Sequence, residues 1–323
     1  MTSLKYEPEY KQLPKARRAP EESVIQPRIG DAYWWESNGT FNPGVTEYRG
    51  QKVLLYRAYD NFFISRLGIA HSKDGINFKQ YDHPAIDTDP NDPDERLGIE
   101  DPRITRIDDT YYIVHTVASY HRIGEGADVR GIKDYIPWRV RVAMHTTQDF
   151  RSYAHWDVIL PAISAKNASL LPEKINEMFG LYYRENSDEG EVLKLSFTKD
   201  FKSWTEPKVI TWPRADAWQA FKWGTGSQAI ITDQGLLMVY HAVDSHQVYR
   251  LGLLMFDRED PSRILWYSNA ILEPEMEYEK EGYVPNVVYT CGAVIHNTEL
   301  WIYYGAADRV IGRAIFPLKS IGL

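Results

Sequence analysis

The sequence predicts an all-β protein, and more narrowly a five-bladed β-propeller with its active site in the central funnel. Three observations point there. Five short apolar and aromatic runs recur along the chain: Lys52-Val-Leu-Leu-Tyr-Arg-Ala, Tyr111-Tyr-Ile-Val-His-Thr-Val, Phe179-Gly-Leu-Tyr-Tyr-Arg-Glu, Leu236-Leu-Met-Val-Tyr-His-Ala and Leu300-Trp-Ile-Tyr-Tyr-Gly-Ala. With Tyr56, His115, Tyr183, Tyr240 and Tyr304 taken as equivalent, the intervals are 59, 68, 57 and 64 residues, enough for one four-stranded sheet and its turns. A second element recurs between them, a polar-Asp turn followed by an aromatic, in Ser72-Lys-Asp-Gly-Ile-Asn-Phe, Thr147-Gln-Asp-Phe and Thr198-Lys-Asp-Phe. Finally, no segment has the period and caps of a long amphipathic helix.

Residues 1–30 contain Pro14, Pro20 and Pro27 and lack periodicity, so they read as an extended N-terminal arm. The basic cluster Lys11, Lys15, Arg17 and Arg18 within it is expected to be solvated or to touch another subunit. Residues 31–323 read as one propeller domain, because blades bury their faces only against neighbours. Residues 121–139 interrupt the rhythm of the second unit, and a loop that long predicts a lid or a subunit contact, hence a possible homo-oligomer. The acidic run Glu273–Glu281 reads as a solvated loop.

Bulk properties narrow the function. The 323 residues carry a formal charge of −8, which argues against a nucleic-acid surface. The single Cys291 excludes an internal disulfide and suits a reducing compartment. No apolar leader opens the chain and no stretch approaches a membrane span, so the expectation is a cytoplasmic protein without a membrane partner. The 10 Trp and 22 Tyr would suit stacking on sugars, although any sheet-rich core uses aromatics.

The position after each marker holds Arg57, Thr116, Arg184, His241 and Gly305. If the blades surround an axis, three of these bring ionisable groups to one level of the funnel. The sharpest local motif is Gly98-Ile-Glu-Asp-Pro-Arg-Ile-Thr105. In an extended segment Glu100 and Asp101 point to opposite faces, so only one is expected in the funnel, and Pro102 restricts the backbone before and after it. Two readings of Asp101 stay open on these residues: a general acid, or a turn Asp beside an ion-paired Arg103.

Phe41-Asn-Pro-Gly with Tyr56-Arg-Ala, Glu100-Asp-Pro-Arg, Leu171-Pro-Glu-Lys-Ile, Val284-Pro-Asn-Val-Val and Tyr303-Tyr-Gly-Ala-Ala-Asp occur in a particular order. From Phe41 to Asp308 the chain resembles glycoside hydrolase family 130, the β-mannoside phosphorylases and related β-mannosidases. The resemblance implies a five-bladed propeller and inverting phosphorolysis of β-linked manno-oligosaccharides to α-mannose 1-phosphate. Asp101 would be the proton donor, acting through a sugar hydroxyl, a variation on the direct acid of inverting enzymes. Phosphate would fall on Lys166, Asn167, Arg184, Lys222, His241 and Tyr249, and mannose on Asn42, Arg57, Arg66 and Asp308. Inorganic phosphate is then a co-substrate, with no cofactor and no metal.

The set has its own physical logic. Phosphate must be fixed and desolvated before it attacks, and Arg184 offers a planar fork where lysines offer point charges. Lys166 stands where the phosphorylases usually have Arg, and Lys222-Trp-Gly-Thr-Gly-Ser-Gln departs from the family's Gly- and Pro-rich stretch. Both departures bear on acceptor preference. The rival readings are a β-mannosidase on the same fold and a non-catalytic carbohydrate-binding propeller. Gly224-Thr-Gly lacks the strand–helix setting of a dinucleotide site, and His241 and His246 lack zinc-site spacing, which leaves His246 a structural residue.

Overall fold

The computed structural model describes residues 7–120, 138–187, 190–210, 212 and 217–323. The expected lid or subunit contact at 121–139 therefore lies outside the described residues apart from its last two positions, where a strand begins.

Two short strands open the chain, β1 (Glu9–Lys11) and β2 (Arg17–Arg18). The first antiparallel unit contains β3 (Gly39–Tyr48), β4 (Gln51–Tyr59), β5 (Ser65–Ser72) and β6 (Lys79–Gln80). The second contains β7 (Gly98–Ile107), β8 (Thr110–Tyr120), β9 (Trp138–Thr147) and β10 (Ala154–Val158). The third contains β11 (Ala165–Leu170), β12 (Phe179–Ser187), β13 (Gly190–Thr198) and β14 (Lys208–Val209). In the fourth, β15 (Lys222–Thr225) and β16 (Ile230–Thr232) pair with successive parts of β17 (Gly235–Val243), and β18 (Tyr249–Phe256) and β19 (Ile264–Ser268) come next. The fifth contains β20 (Val288–His296), β21 (Glu299–Ala306) and β22 (Val310–Pro317), with β2 as its fourth strand. The protein is all-β: among the described residues its one α-helix is the short α1 (Glu277–Lys280). No described helix is long and apolar enough to cross a membrane.

The pairing makes four sheets rather than five, because a single parallel bridge, Ser65 to Gly98, joins the first two units. Packing is cyclic. Each central strand is apolar on both faces, and alternate residues serve different neighbours. Val53 and Leu55 of β4 pack with Ile104 and Ile113 of the second unit, whereas Leu54, Tyr56 and Ala58 pack with Tyr303 and Ile311 of the fifth. In β17, Leu236, Met238 and Tyr240 join the third unit while Leu237 and Val239 join the fifth. This double burial explains why the marker runs read as continuous hydrophobic stretches.

The Asp turns form as expected. Asp74, Asp149 and Asp200 each accept two backbone N–H bonds of 2.8–2.9 Å, and Phe150 and Phe201 return to the core.

The N-terminal basic cluster corrects its expectation. Pairing of β2 with β22 lays it against the acidic run. Arg18 donates to both Glu279 oxygens at 2.7 and 2.8 Å and to Glu275 at 2.8 Å, and Lys15 pairs with Glu273 at 2.5 Å. Glu279 is fully buried. Neither run is simply solvated, because Lys15 and Arg18 pair with Glu273, Glu275 and Glu279.

Candidate active site

One cavity of about 520 Å³ gathers ten of the eleven residues singled out by sequence: Asn42, Arg57, Asp101, Lys166, Asn167, Arg184, Lys222, His241, Tyr249 and Asp308. Two backbone devices place them. The first is a bulge on the inner strands of three units. Register slips between Phe41 and Gly44 in β3, between Glu100 and Arg103 in β7, and between Lys166 and Ser169 in β11. At each slip sits an Asn or Asp in the left-handed region: Asn42 at φ 48°, Asp101 at 54° and Asn167 at 57°. These side chains tolerate that conformation better than most, and a bulge turns the neighbouring side chains in a new direction. Two consecutive residues therefore face the cavity in each strand, Phe41 with Asn42, Glu100 with Asp101, and Lys166 with Asn167.

That result overturns the expectation that only one of Glu100 and Asp101 could enter the site. Alternation assumes an unbroken strand, and Asp101 is not extended. The sequence signal was the pair Asn42-Pro43 and Asp101-Pro102, 59 residues apart like Tyr56 and His115, since proline within sheets is confined to bulges and edges.

The second device is the central-strand position after each marker. Arg57, Arg184 and His241 reach the cavity from β4, β12 and β17. Thr116 is buried opposite Glu100. Gly305 leaves room for Asn42, whose Oδ1 would collide with any added Cβ.

Charged groups of both signs line the cavity. On one side Arg57 donates to Ser65 Oγ and Glu100 Oε1, each at 2.8 Å, and its other terminal nitrogen lies 3.6 Å from Asp101 Oδ1. Asn42 Nδ2 donates to the same Asp101 oxygen at 2.8 Å, while Asn42 Oδ1 is buried without a hydrogen-bond partner. Loss of solvation pushes the Glu100 carboxyl up despite Arg57. It pushes Asp308 up to about 7, with Arg57 opposing and Asp101 and Glu100 adding to the rise. Burial and neighbouring like charge thus make Glu100 and Asp308 hold a proton more readily than in water.

On the other side Lys166 pairs in register with Arg184. Arg184 lies 3.3 Å from His241 Nε2, and His241 Nδ1 lies 3.1 Å from the Thr225 carbonyl. Burial, then Arg184, Arg103 and Lys222, hold the His241 pKa well below the usual imidazole range. His241 is thus neutral, with Nδ1 donating to Thr225 and Nε2 left as an acceptor. Asn167 Nδ2 donates to Tyr289 Oη at 2.8 Å, and Lys222 Nζ sits 5.3 Å from the centre of the Tyr249 ring.

Arg66 is absent from the lining. Its guanidinium donates to Asp60 at 2.9 Å and Asp87 at 2.7 Å and stacks 4.6 Å from the Trp34 ring. Arg103 is not ion-paired as the turn reading required: it is buried and donates to the Thr225 and Gly226 carbonyls and to Tyr289 Oη. His246 is exposed on a turn rather than structural. The sequence reading also passed over the aromatic lining, Phe41, Tyr59, Phe62, Phe63, Tyr283 and Tyr289, because aromatics were too common to single out. Away from the cavity, Asp92, Glu95 and His155 bring potential ligand atoms within 4.8 Å of one another and could hold a metal ion, but none of them lines the site.

Comparison with known proteins agrees with this geometry. A family model described as β-1,4-mannooligosaccharide phosphorylase, for glycoside hydrolase family 130, matches residues 11–321. The chain is 37% identical over 316 residues to a 1,2-β-oligomannan phosphorylase of Thermoanaerobacter sp. (strain X514), covering 95% of this chain and 99% of that one. A β-1,2-mannobiose phosphorylase of the same organism is 35% identical, covering 89% and 93% of the two chains. Among solved structures, a β-1,2-mannobiose phosphorylase from Listeria innocua in complex with β-1,2-mannobiose superposes with a TM-score of 0.81 at 25% identity, covering 95% of this chain and 98% of that one. The family model spans nearly the whole chain and the relatives match over most of its length: the chain belongs to glycoside hydrolase family 130.

Proposed function

We propose that this chain is an inverting β-mannoside phosphorylase that cleaves β-1,2-linked manno-oligosaccharides with inorganic phosphate and releases α-mannose 1-phosphate. The observation that carries the reading is the convergence of three cationic side chains, Lys166, Arg184 and Lys222, on the same cavity as the carboxyls Glu100, Asp101 and Asp308. A dianionic nucleophile needs such a wall, because fixed donors must replace its water. Phosphate would sit against Lys166, Asn167, Arg184, Lys222, His241 and Tyr249. The mannosyl unit would sit against Asn42, Arg57 and Asp308.

One phosphate oxygen then attacks C1 from the face opposite the leaving oxygen. The C1–O bond to the departing sugar breaks as the bond to phosphate forms. Asp101 supplies the proton that the leaving oxygen takes up, relayed through a sugar hydroxyl. The β-1,2 linkage is supported by relatives of 37%, 35% and 30% identity named for β-1,2-mannosides, against 26% for one named for β-1,4. The cyclic packing supports five blades around one axis, with residues 31–323 as a single propeller and the cavity at its centre. A hydrolase would leave the cationic wall without a task.

Incubation with β-1,2-mannobiose, with and without phosphate, tests the reading. Mannose 1-phosphate should appear only with phosphate, and free mannose released equally in both would overturn it.

A further inference from the structure

An aromatic shelf continues from the cavity to its rim. Tyr59, on β4, donates its hydroxyl to the Asp308 carbonyl at 3.1 Å, and its ring stacks on Phe63 with centroids 5.4 Å apart. Phe63 in turn lies 4.8 Å from Tyr283, and Phe62 stands beside it on the same lining. Phe62 is 85% exposed, Tyr283 60% and Phe63 47%. Contiguous exposed aromatics lose hydrophobic stabilisation and mark a binding surface.

The turn that presents them is built at a cost. Phe63 has a left-handed backbone at φ 62°, a conformation that costs a bulky residue energy and gathers at functional sites. Buried Asp60 holds the turn by accepting from the Phe62 and Ile64 amides at 2.8 and 3.1 Å. Arg66 fixes Asp60 from behind and also donates to the Ile64 carbonyl at 3.1 Å. The arginine that the family pattern suggested for sugar contact serves the turn instead.

Inversion decides which part of a substrate meets the shelf. Phosphate attacks from the wall made by the third and fourth units, so the leaving saccharide departs on the other side. The first unit and the segment before the fifth supply that side. We infer that Phe62, Phe63 and Tyr283 form a stacking subsite for a mannosyl unit beyond the disaccharide, on the leaving-group side, which selects longer oligosaccharides. This rests on the phosphorylase reading of the cavity. A ring stacked on a flat, partly apolar partner gains both from buried area and from its face.

The double variant Phe62→Ala with Tyr283→Ala tests it, since both side chains are largely exposed. KM for β-1,2-mannotriose should rise about tenfold, or about 1.4 kcal/mol. KM for phosphate and kcat/KM for mannobiose should stay within about twofold of the parent. Phe62→Trp with Tyr283→Phe should restore the trisaccharide KM. Equal losses on the two saccharides, or no loss on either, would overturn the subsite. Calorimetric titration with mannotriose, phosphate absent, separates the two readings. Tighter binding of mannotriose than mannobiose by the parent, lost in the variant, supports the subsite even if no mannose 1-phosphate is ever formed. Intact phosphorolysis with equal binding of both sugars rejects the subsite alone.

Discussion

Arg184 is buried and the Arg18 side chain is only 9% exposed, yet they sit in opposite electrostatic designs. Arg18 arrives with its counter-charge: Glu279 takes two of its N–H groups, Glu275 a third, and the Glu273 carbonyl a fourth at 2.6 Å. Glu279 is in turn satisfied by Tyr304 Oη at 2.6 Å and by the Glu275 and Met276 amides. Arg184 instead has a neutral imidazole 3.3 Å away, Lys166 across the ladder, and Lys222 near enough to help suppress His241 protonation. Carboxyls in the cavity collect around Arg57. Structural charge is paired in place, whereas the cavity brings cations from three strands close to a neutral imidazole.

The largest effect expected from breaking this contrast comes from Asp101→Asn, which keeps the Asn42 contact but cannot donate a proton. Turnover of β-1,2-mannobiose should fall by about 10²–10⁴-fold, as for loss of a general acid. An aryl mannoside with a good leaving group should lose less, and a loss under about tenfold on mannobiose would remove Asp101 from the role.

Glu279→Ala attacks the paired region. It strands Arg18 and Tyr304, so stability should fall by about 3–5 kcal/mol. Denaturant titration reads this, and kcat per folded molecule should not change. A parallel loss of kcat would mean that the latch and the cavity are coupled.

Arg184→Ala attacks the cavity and should act the other way round. Losing a charge-assisted contact worth about 1.5–3 kcal/mol should raise the phosphate KM by about 10–100-fold, with little change in melting temperature. Unchanged phosphate kinetics would place the anion elsewhere.

The last effect concerns Asp308 and is confined to the pH dependence of stability. Below its ordinary pKa of 3.8 the carboxyl is protonated in folded and unfolded chains alike, and it contributes no pH dependence. As pH rises toward about 7 the unfolded chain releases the proton while the folded chain keeps it, so stability declines; above that the penalty is constant. Asp308→Asn should remove this decline of roughly 4 kcal/mol, changing the variant-minus-parent melting difference by about 6–10 °C between about pH 4 and pH 8. A constant difference across that range would show that the carboxyl is not raised.

How far the site could be read from sequence depends on the range of each interaction. Arg57, Arg184 and His241 were legible because a tyrosine-marked strand repeats and fixes the next residue on one face. Glu100 was misjudged because the alternation rule fails at a bulge. Arg66 was misplaced because an arginine that grips Asp60 and Asp87 has the same local sequence as one that grips a sugar. The Arg18–Glu279 latch spans 261 residues and leaves no local trace beyond two runs of opposite charge.

Residue order alone was enough to establish that the chain is all-β, that five apolar and aromatic runs recur, and which side chains are chemically able to bind an anion or give up a proton. Those properties depend on residue type and short-range period, which the backbone expresses locally. It took the folded chain to bring Glu100 and Asp101 into one cavity, to set Arg66 behind an aromatic turn, and to close the basic arm onto its own fifth unit. These outcomes depend on which distant strands meet and at what register, and that is set by the packing of the whole chain.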